Sequence, residues 1–342
     1  KIGEEIHAMI SEHHFRATNT CLIANALLDM YAKCGELIKA QEVFDELFIR
    51  DVVSWNSLIT GFSQCELDCE ALTYFKRMQD EGVTPNAITF SCILKTCSSL
   101  GFGRKGEEIH ATVTKELIHV ENSLLLSSSL VAMYAKCGLV TKAEEVLEEL
   151  PVRNVVSWSA LIAGYAQQGL CHHAINCFEQ MQSEGLYPDV VTFACILKAC
   201  GSTTAIDMGK EIHCEIVDRG LLENSVILGN ALVDMYVKCG ELAKAQDVLE
   251  ELPVWDIVSW STLIAGYAQE GKGHEALDCF ARMQKEGISP DGVTFTCILN
   301  ACGSIGAVDK GKEIHDEIVS KGLLMKNIVL GTALVDMYAK CG

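Results

Sequence analysis

Apolar residues recur at steps of three and four positions along most of the chain, which is the spacing of amphipathic helices. In residues 155–189, one apolar series ends at Gly169 and a second ends shortly before Pro188. Glycine and proline at such places are helix stop signals. The pattern therefore predicts a hairpin of two helices, and residues 190–225 and 226–256 repeat it. The sequence has no alternating strand pattern bounded by turns.

Whole strings of residues return at a nearly constant interval. The string that begins with Ser-Trp and ends with Leu-Ile starts at Ser54, again at Ser157 and again at Ser259. A fixed long period indicates a stacked array of repeats rather than one globular core. A single hairpin cannot bury its own apolar face, so neighbouring hairpins must stack and form a concave groove. We therefore predict an all-α solenoid of stacked helix-turn-helix hairpins.

The composition is consistent with such an array. Hydrophobic residues make up 49% of the chain, which is ample for a continuous core. No run of 18 apolar residues occurs, so we expect no membrane span. The chain has 17 cysteines, and many of them, such as Cys92 and Cys97, lie in apolar helical stretches. This placement favours buried thiols in a reducing compartment over a disulfide scaffold.

The two ends of the sequence resemble the interior of a repeat. The chain begins at Lys1 rather than at a methionine, and it stops at Gly342 within a repeated string. We expect it to be a piece of a longer protein, so that any targeting peptide would lie outside it.

Four recurring strings carry a resemblance to a known family. They are Val-Val-Ser-Trp followed by Leu-Ile, Gly-x-x-Pro, Lys-Glu-Ile-His at 312–315, and Asp-Met-Tyr-Ala-Lys-Cys-Gly at 336–342. Their order resembles pentatricopeptide repeat proteins of the plant subclass in which P, L and S motifs alternate, and the resemblance covers all 342 residues. It implies a right-handed superhelical α-solenoid that binds single-stranded RNA, as part of a factor for C-to-U editing in a mitochondrion or chloroplast.

The resemblance also implies the motif boundaries. They are a partial L motif at 1–20, S at 21–51, P at 52–86, L at 87–123, S at 124–154, P at 155–189, L at 190–225, S at 226–256, P at 257–291, L at 292–327 and a partial S at 328–342. The L motif at 87–123 holds one extra residue, which we place near residues 115–120.

Two positions in the P and S motifs vary within a narrow chemical range and are the candidate base readers. The fifth residues are Asn25, Asn56, Ser128, Ser159, Asn230, Ser261 and Thr332. The last residues are Asp51, Asn86, Asn154, Asp189, Asp256 and Asp291. Side chains of a helical repeat can read one base of a single strand each. An ordinary alternative is that each last residue is the N-cap of the next helix, and one side chain could serve both purposes.

The family's pairing rule assigns a base to each fifth and last pair. Asn with Asp favours U, Asn with Asn favours C and then U, and Ser or Thr favours A with Asn and G with Asp. The resemblance then implies the target 5′-UCNAGNUGN. The undefined bases belong to the L motifs, whose pairs are Ser91 with Ser123, Ala194 with Ser225, and Thr296 with Asn327, the last of which would suggest A.

The second residue of each motif resembles the family's apolar clamp, which holds a base between two neighbouring side chains. In the P and S motifs these residues are Leu22, Val53, Leu125, Val156, Ile227 and Val258. Burial in the core is the alternative for any one of them.

The chain shows no sequence signature of an enzyme. His213 with Glu215, and His315 with Glu317, match half of a zinc deaminase motif, but no two cysteines have the required spacing. We therefore expect no cofactor, no metal and no catalytic residue, and these histidines are interpreted as packing residues of the repeat.

The acidic composition leaves a second function open. The net charge of −19 opposes binding of nucleic acid over the whole surface and would suit a scaffold for other proteins. Glutamate clusters such as Glu144-Glu145 fall on predicted second helices, whereas Lys95 and Lys136 fall on first helices. A groove less negative than the exterior would suit RNA. The expected partners are thus single-stranded RNA and accessory editing proteins on the L motifs, with no DNA and no membrane.

Overall fold

Helices, two to a hairpin, account for the regular structure of the computed structural model, which describes residues 18–116, 124–324 and 327–342. The α-helices of these residues are α1 Thr18–Lys33, α2 Leu37–Glu46, α3 Val52–Gln64, α4 Asp68–Asp80, α5 Ala87–Leu100, α6 Gly103–Glu116, α7 Leu124–Lys136, α8 Val140–Glu149, α9 Val155–Gln167, α10 Cys171–Ser183, α11 Val190–Thr203, α12 Ile206–Asp218, α13 Val226–Lys238, α14 Leu242–Glu251, α15 Ile257–Gln269, α16 Gly273–Lys285, α17 Gly292–Ile305, α18 Val308–Ser320 and α19 Ile328–Cys341. A short 3₁₀ turn spans Leu221–Asn224.

The chain divides into two compact units, one ending at Gln168 and one beginning at Gly169. Within each unit, the odd-numbered helices pack side by side in chain order and form one layer. The even-numbered helices lie against them and form the second layer. The predicted all-α array of stacked hairpins is thus confirmed.

The layer of odd-numbered helices is the more apolar of the two because it is covered on several sides. In α3, Trp55, Leu58 and Ile59 are completely buried. On the second helix α4, the buried residues Ala71, Phe75 and Met78 lie at the three- and four-residue spacing that the sequence predicts. Among the described residues, no helix combines the length and apolar character needed to cross a bilayer.

Small residues bring successive first helices into close contact. A Cβ placed on Gly164 of α9 would lie 2.8 Å from the Cβ of Ala135 and 3.2 Å from its Cα on α7. Gly61 of α3 faces Ala32 of α1 in the same way. Because neither partner can move without its helix, glycine at these two places sets the spacing of the layer and therefore the spacing of the fifth residues.

Parts of the sequence interpretation lie outside the described residues. They are most of the partial L motif at 1–20, the last residue of the first long L motif, Ser123, and most of the segment at 115–120 where we place its extra residue. The motif boundaries themselves remain a prediction, which we use below to name positions.

Candidate nucleic-acid interface

All six last residues of the predicted P and S motifs are N-caps. Asp51 Oδ1 accepts a hydrogen bond from the backbone N–H of Ser54 at 2.9 Å, and Asn154 Oδ1 accepts one from Ser157 at 2.8 Å. The same geometry recurs at Asn86, Asp189, Asp256 and Asp291. Each side chain therefore begins the next first helix by satisfying its free N–H groups. The N-cap alternative is confirmed for every one of them.

In two of the predicted S motifs the same carboxylate also binds the fifth residue. Asn25 Nδ2 donates to the two carboxylate oxygens of Asp51 at 3.2 and 3.3 Å, and Asn230 Nδ2 donates to Asp256 Oδ2 at 2.8 Å. Because a carboxylate only accepts hydrogen bonds, both asparagines must turn their NH₂ groups towards it. Their carbonyl oxygens are left buried without a hydrogen-bond partner in the described part of the chain.

Two amide pairs show the same link between fifth and last positions. Asn56 Nδ2 donates to Asn86 Oδ1 at 3.1 Å, and Asn154 Nδ2 donates to Ser128 Oγ at 3.1 Å. Asn86 Oδ1 also accepts from the backbone of the helix it caps, so its orientation is determined. Its NH₂ group has no protein partner among the residues described. Ser128 Oγ in turn donates to the backbone of Leu124 at 2.7 Å.

A buried hydroxyl at the third position of P and L motifs supports these pairs, and the sequence interpretation missed it. Thr89 Oγ1 donates to Asn56 Oδ1 at 2.6 Å, and Thr294 Oγ1 lies 2.7 Å from Ser261 Oγ. The residues in this series are Ser54, Thr89, Ser157, Thr192, Ser259 and Thr294, each at most 1% exposed. The available signal was a Ser or Thr three residues after each last-position Asp or Asn. An N-cap residue interacts with the residue three positions further along its helix.

Not every predicted pair is joined directly. Ser261 is hydrogen-bonded to Thr294, which also donates to Asp291 Oδ1 at 2.8 Å, so a hydroxyl links fifth and last residues. Ser159 and Asp189 belong to different units. Within its own unit, Ser159 Oγ donates to the backbone of its own helix. Thr332 is exposed in the last helix, and its Oγ1 donates to the Ile328 carbonyl at 3.2 Å.

Hydrogen bonding keeps Asp256 ionised. Burial acts to raise the pKa of its carboxyl group, but hydrogen bonds from the backbone and side chain of Ser259 and from Asn230 outweigh it and lower the pKa below its usual value. The carboxylate is therefore an acceptor at neutral pH, which fixes the donor orientation of Asn230.

A donor immediately before each S-motif terminus anchors the chain. Arg50 Nε donates to the carbonyl of Phe44 at 3.2 Å, and Arg153 Nε donates to Leu147 at 3.0 Å. In the third copy a tryptophan does the same, since Trp255 Nε1 donates to Leu249 at 2.7 Å. Each bond ties the end of a second helix to the residue before the last position, and so positions the last residue of the motif. Sequence comparison of the copies did not reveal that arginine and tryptophan are equivalent here.

The six second-position residues are exposed, not buried. Their exposed fractions range from 51% for Val53 to 75% for Leu22, so the core alternative is wrong for this group. The L motifs contribute exposed apolar residues at the same position, which the sequence interpretation left out. These are Ile88, Val191 and Val293, and Val329 in the last partial motif adds another. An apolar side chain is therefore available at the start of every described first helix from Leu22 onwards.

These side chains line surface cavities beside the fifth residues. In the first unit, Ile88, Leu125 and Val156 line a cavity of about 460 Å³ together with Ser91 and Ser128. In the second unit, Val258 and Val293 line one of about 380 Å³ together with Ser261 and Asp291. Both combine apolar walls with a few polar groups, which is the usual make-up of a ligand site.

The L motifs lack the link between fifth and last residues in what the structure describes. Ser91 Oγ is hydrogen-bonded to Ser129 Oγ of the next motif, and Thr296 Oγ1 donates to the backbone of Gly292. Ala194 has no polar group to offer. Ser225 and Asn327 are N-caps of the following helices.

The two histidines that match half of a deaminase motif, and their repeat equivalent His110, are packing residues. His110, His213 and His315 place Nδ1 within 3.0 Å of Tyr134, Tyr236 and Tyr338 Oη respectively. Burial lowers the pKa of His110 and His213, so the neutral ring is favoured. Among the described residues, no group of three His, Cys, Asp or Glu side chains is arranged to hold a metal ion.

Comparison with known proteins identifies the repeat. The model of the PPR repeat family matches residues 50–99, 153–202 and 255–304. The model of the PPR repeat matches residues 23–52, 127–155, 230–257 and 293–323. The chain belongs to the pentatricopeptide repeat (PPR) family. The repeat strings, the capped hairpins and the polar pairs of fifth and last residues are therefore features of a PPR array.

Two similar PPR proteins come from Arabidopsis thaliana. The mitochondrial pentatricopeptide repeat-containing protein At2g03380 is 37% identical over 94% of this chain and 46% of its own length. The chloroplastic protein At4g18520 is 35% identical over 100% of this chain and 54% of its own length. The chain thus spans about half the length of these relatives.

The same solenoid fold occurs in a solved structure. The crystal structure of the PPR protein PPR10 in complex with an 18-nt psaJ RNA element superposes with a TM-score of 0.77 at 19% sequence identity. The match covers 99% of this chain and 50% of PPR10, a protein from maize. At this identity the comparison shows a common fold.

Proposed function

We propose that this PPR array binds single-stranded RNA in a sequence-specific manner, one base per motif, with 5′-UCNAGNUGN as its target. The observation that carries the proposal is the repeated link between a fifth residue and a last residue, next to an exposed apolar side chain. Each such unit offers a hydrogen-bonding edge for a base and an apolar surface for its ring. The fold shared with PPR10, which was crystallised with RNA, supports the same function.

The chemistry of the Asn and Asp pairs suits uracil. In Asn25 with Asp51 and in Asn230 with Asp256, the carboxylate holds the NH₂ group and leaves Oδ1 without a donor. Uracil presents an N–H donor at the centre of its pairing edge, whereas cytosine presents an acceptor there. If the amide turned so that Oδ1 met the central N–H of uracil, the new bond would relieve the cost of a buried acceptor without a partner, which is about 1–3 kcal/mol.

The Asn and Asn pair suits cytosine for the opposite reason. Asn56 Oδ1 is already occupied by Thr89, and Asn86 Oδ1 is occupied by the helix it caps. The group without a protein partner is the NH₂ of Asn86, a donor. It can bond to the acceptors on the pairing edge of cytosine.

The pairs with a serine at the fifth position leave more room and suit purines. At Ser261, the second carboxylate oxygen of Asp291 has no hydrogen-bond partner in the described chain and lines the cavity with Val258. It can accept from the two N–H donors on the pairing edge of guanine. At Ser128, Asn154 supplies an amide instead of a carboxylate, which suits adenine, whose edge has one donor and one acceptor.

In the same proposal, the second residues hold each base between neighbouring motifs. Val53, Val156 and their equivalents are more than half exposed, and such apolar surface is costly unless a ligand covers it. The L-motif residues Ile88, Val191 and Val293 would extend this clamp through motifs that do not read a base. The array would then follow the RNA without interruption.

At the level of the whole protein, we infer a plant PPR protein of the subclass with P, L and S motifs. It would act as the recognition tract of a C-to-U RNA-editing factor in a mitochondrion or chloroplast. The different polar chemistry of the L motifs supports the alternation, and the organelle names of the Arabidopsis relatives support the location. Accessory editing proteins would dock on the L motifs, and the deaminase activity would reside outside this chain.

The direct experiment is a binding titration with labelled UCNAGNUGN RNA and a scrambled RNA of equal composition at near-physiological salt. We expect clear preference for the designed sequence. The matched variant is Asn230→Ser, which should move the preferred seventh base from U towards G because the smaller side chain admits a purine beside Asp256. An unchanged seventh base would contradict the role of Asn230.

A protein-binding scaffold is the competing function, favoured by the net charge of −19. It predicts that neither RNA binds measurably and that the second-position side chains contact a polypeptide. Equal affinity for the two RNAs would instead leave RNA binding in place and contradict the proposed reading of bases.

A further inference from the structure

Four equivalent lysines lie near the ends of the first helices of S motifs, and one differs from the rest. Lys33, Lys238 and Lys340 each bond to an aspartate four residues earlier, Asp29, Asp234 or Asp336, at 2.6–2.7 Å. At the corresponding position before Lys136 the chain has Ala132. Lys136 has no ion pair with any residue that the structure describes.

The neighbouring helix also differs at Lys136. The aliphatic stems of Lys238 and Lys340 lie against Gly201 and Gly303, where an added Cβ would come within 3.2–3.3 Å of Lys Cδ. The equivalent residue in the repeat is Ser98, whose hydroxyl donates to the backbone carbonyl of Lys95 at 2.9 Å. Lys136 therefore lacks both the aspartate partner and the neighbouring glycine that fix the position of Lys238 and Lys340.

A second lysine accompanies Lys136. Lys95 of the preceding L motif is exposed and has no ion pair within the described residues, and both lysines line the 460 Å³ cavity of the first unit. This cavity has no carboxylate in its lining. A cavity of the second unit that contains Lys238 lies at a different junction, between the motifs that begin at 226, 257 and 292, and its lining includes Asp234 and Asp291.

We propose that Lys95 and Lys136 form a phosphate-holding point for the backbone of the bound RNA. Asp29, Asp234 and Asp336 neutralise the other lysines of the series and keep them from this role. The proposal rests on the proposed function. Its physical reason is local charge: two uncompensated ammonium groups attract a phosphodiester, whereas a phosphate that approached Lys238 would meet the Asp234 carboxylate at close range.

This arrangement also explains how a chain with a charge of −19 could bind RNA. In the proposal, Lys95 and Lys136 supply favourable charge at the junction of the motifs at 87–123 and 124–154, where both line one cavity. Neighbouring motifs would then depend on base contacts alone. The RNA backbone would be fixed at this one junction, and the bases on either side of it would be read by the neighbouring motifs.

The test is the salt dependence of RNA binding for wild type, Lys136→Ala and the matched control Lys238→Ala. For single strands, each phosphate contact adds about 0.7 to the slope of log affinity against log salt. We expect Lys136→Ala to reduce the slope by about 0.7 and Lys238→Ala to leave it unchanged. Asp234→Ala should raise the slope by about 0.7, because it frees Lys238. Circular dichroism of each variant checks that the helices are retained.

Equal slopes for Lys136→Ala and Lys238→Ala would overturn the proposal while leaving base reading intact. A second readout separates this failure from failure of RNA binding. Acetylation of lysines in the wild-type protein, read by mass spectrometry, is compared with and without millimolar pyrophosphate. Protection of Lys136 and Lys95 ahead of Lys238 supports the site even if no RNA binds. Equal protection of all three overturns it.

Discussion

At the scale of single residues, one short polar side chain at each junction has two tasks. Asp51 and Asp256 each begin a helix as N-cap and each hold the amide of an asparagine from the preceding first helix. An N-cap alone is worth about 1 kcal/mol. Substitution by alanine would therefore lower stability and alter the interface together. Exchanges between Asp and Asn keep the cap, and they are the informative variants for base preference.

The buried hydroxyl of Thr89 gives a prediction that does not depend on RNA. Thr89→Val keeps the shape of the side chain but leaves Asn56 Oδ1 buried without its donor at 2.6 Å. We expect a loss of about 1–3 kcal/mol in the free energy of unfolding, measured by urea denaturation. The control is Thr114→Val, because Thr114 is exposed and donates only to its own helix. Its effect should stay within about 0.5 kcal/mol. A loss no larger than the control's would show that the Thr89 bond contributes nothing.

The sequence predicted part of this site and not the rest. The fifth residues were recognisable because Asn56, Ser159 and Ser261 vary where the flanking Ser-Trp and Leu-Ile do not. Thr89 was not recognised because threonine inside a helix, next to Phe90, reads as ordinary helix sequence. Its role depends on the distance between two first helices, which no local pattern contains.

At the scale of helices, close packing between first helices is set by glycine. Gly164→Ala should destabilise the protein, although alanine favours helix by about 1 kcal/mol over glycine, because overpacking against Ala135 costs about 1–3 kcal/mol. Gly331→Ala is the matched control: nothing lies within 4 Å of its added Cβ in α19, so it should stabilise by about 0.5–1 kcal/mol. Thermal unfolding of the two variants measures the difference. Stabilisation by both would contradict the close approach of α7 and α9.

Helices and hairpins were predictable because their signals are local and repeated three times. The anchoring donors could not be predicted. Arg50 and Trp255 share only a side-chain N–H that reaches the same backbone carbonyl position. The exposure of Ile88 was missed for another reason. Apolar residues at a helix start are ambiguous in sequence, and only the packing of neighbouring helices decides which of them are covered.

At the scale of the whole molecule, the described cysteines are free thiols of unequal accessibility, and six of them are buried. Burial raises the pKa of Cys97 and Cys302 to about 11 and that of Cys200 to about 12, so their thiolates are scarce at neutral pH. Exposed thiols in the described chain are Cys34, Cys69 and Cys214.

Alkylation of the native protein should therefore modify Cys34, Cys69 and Cys214 well before Cys97, Cys200 and Cys302. Mass spectrometry of peptides at successive times measures the order, and the same reaction in denaturant provides the control, in which all six should react at similar rates. Early modification of Cys200 in the native protein would contradict the packing between α11 and α13.

The whole array also explains how acidic charge and RNA binding can coexist. Glu144 and Glu148 lie on second helices, whereas the exposed second-position residues and the fifth residues lie on first helices. In the proposed function, recognition therefore falls to the less charged layer. Affinity should depend on the number of correctly matched bases more than on total charge, with Lys95 and Lys136 as the local exception.

The central claim is a fixed order of readers along the RNA, and a substitution scan of the target tests it most directly. The affinity of the wild-type chain is measured for 5′-UCNAGNUGN with every single-base change at all nine positions. The account predicts losses at positions 1, 2, 4, 5, 7 and 8, and tolerance at positions 3, 6 and 9, which face L motifs without a joined pair. A uniform profile, or losses that peak at positions 3 and 6, would contradict it.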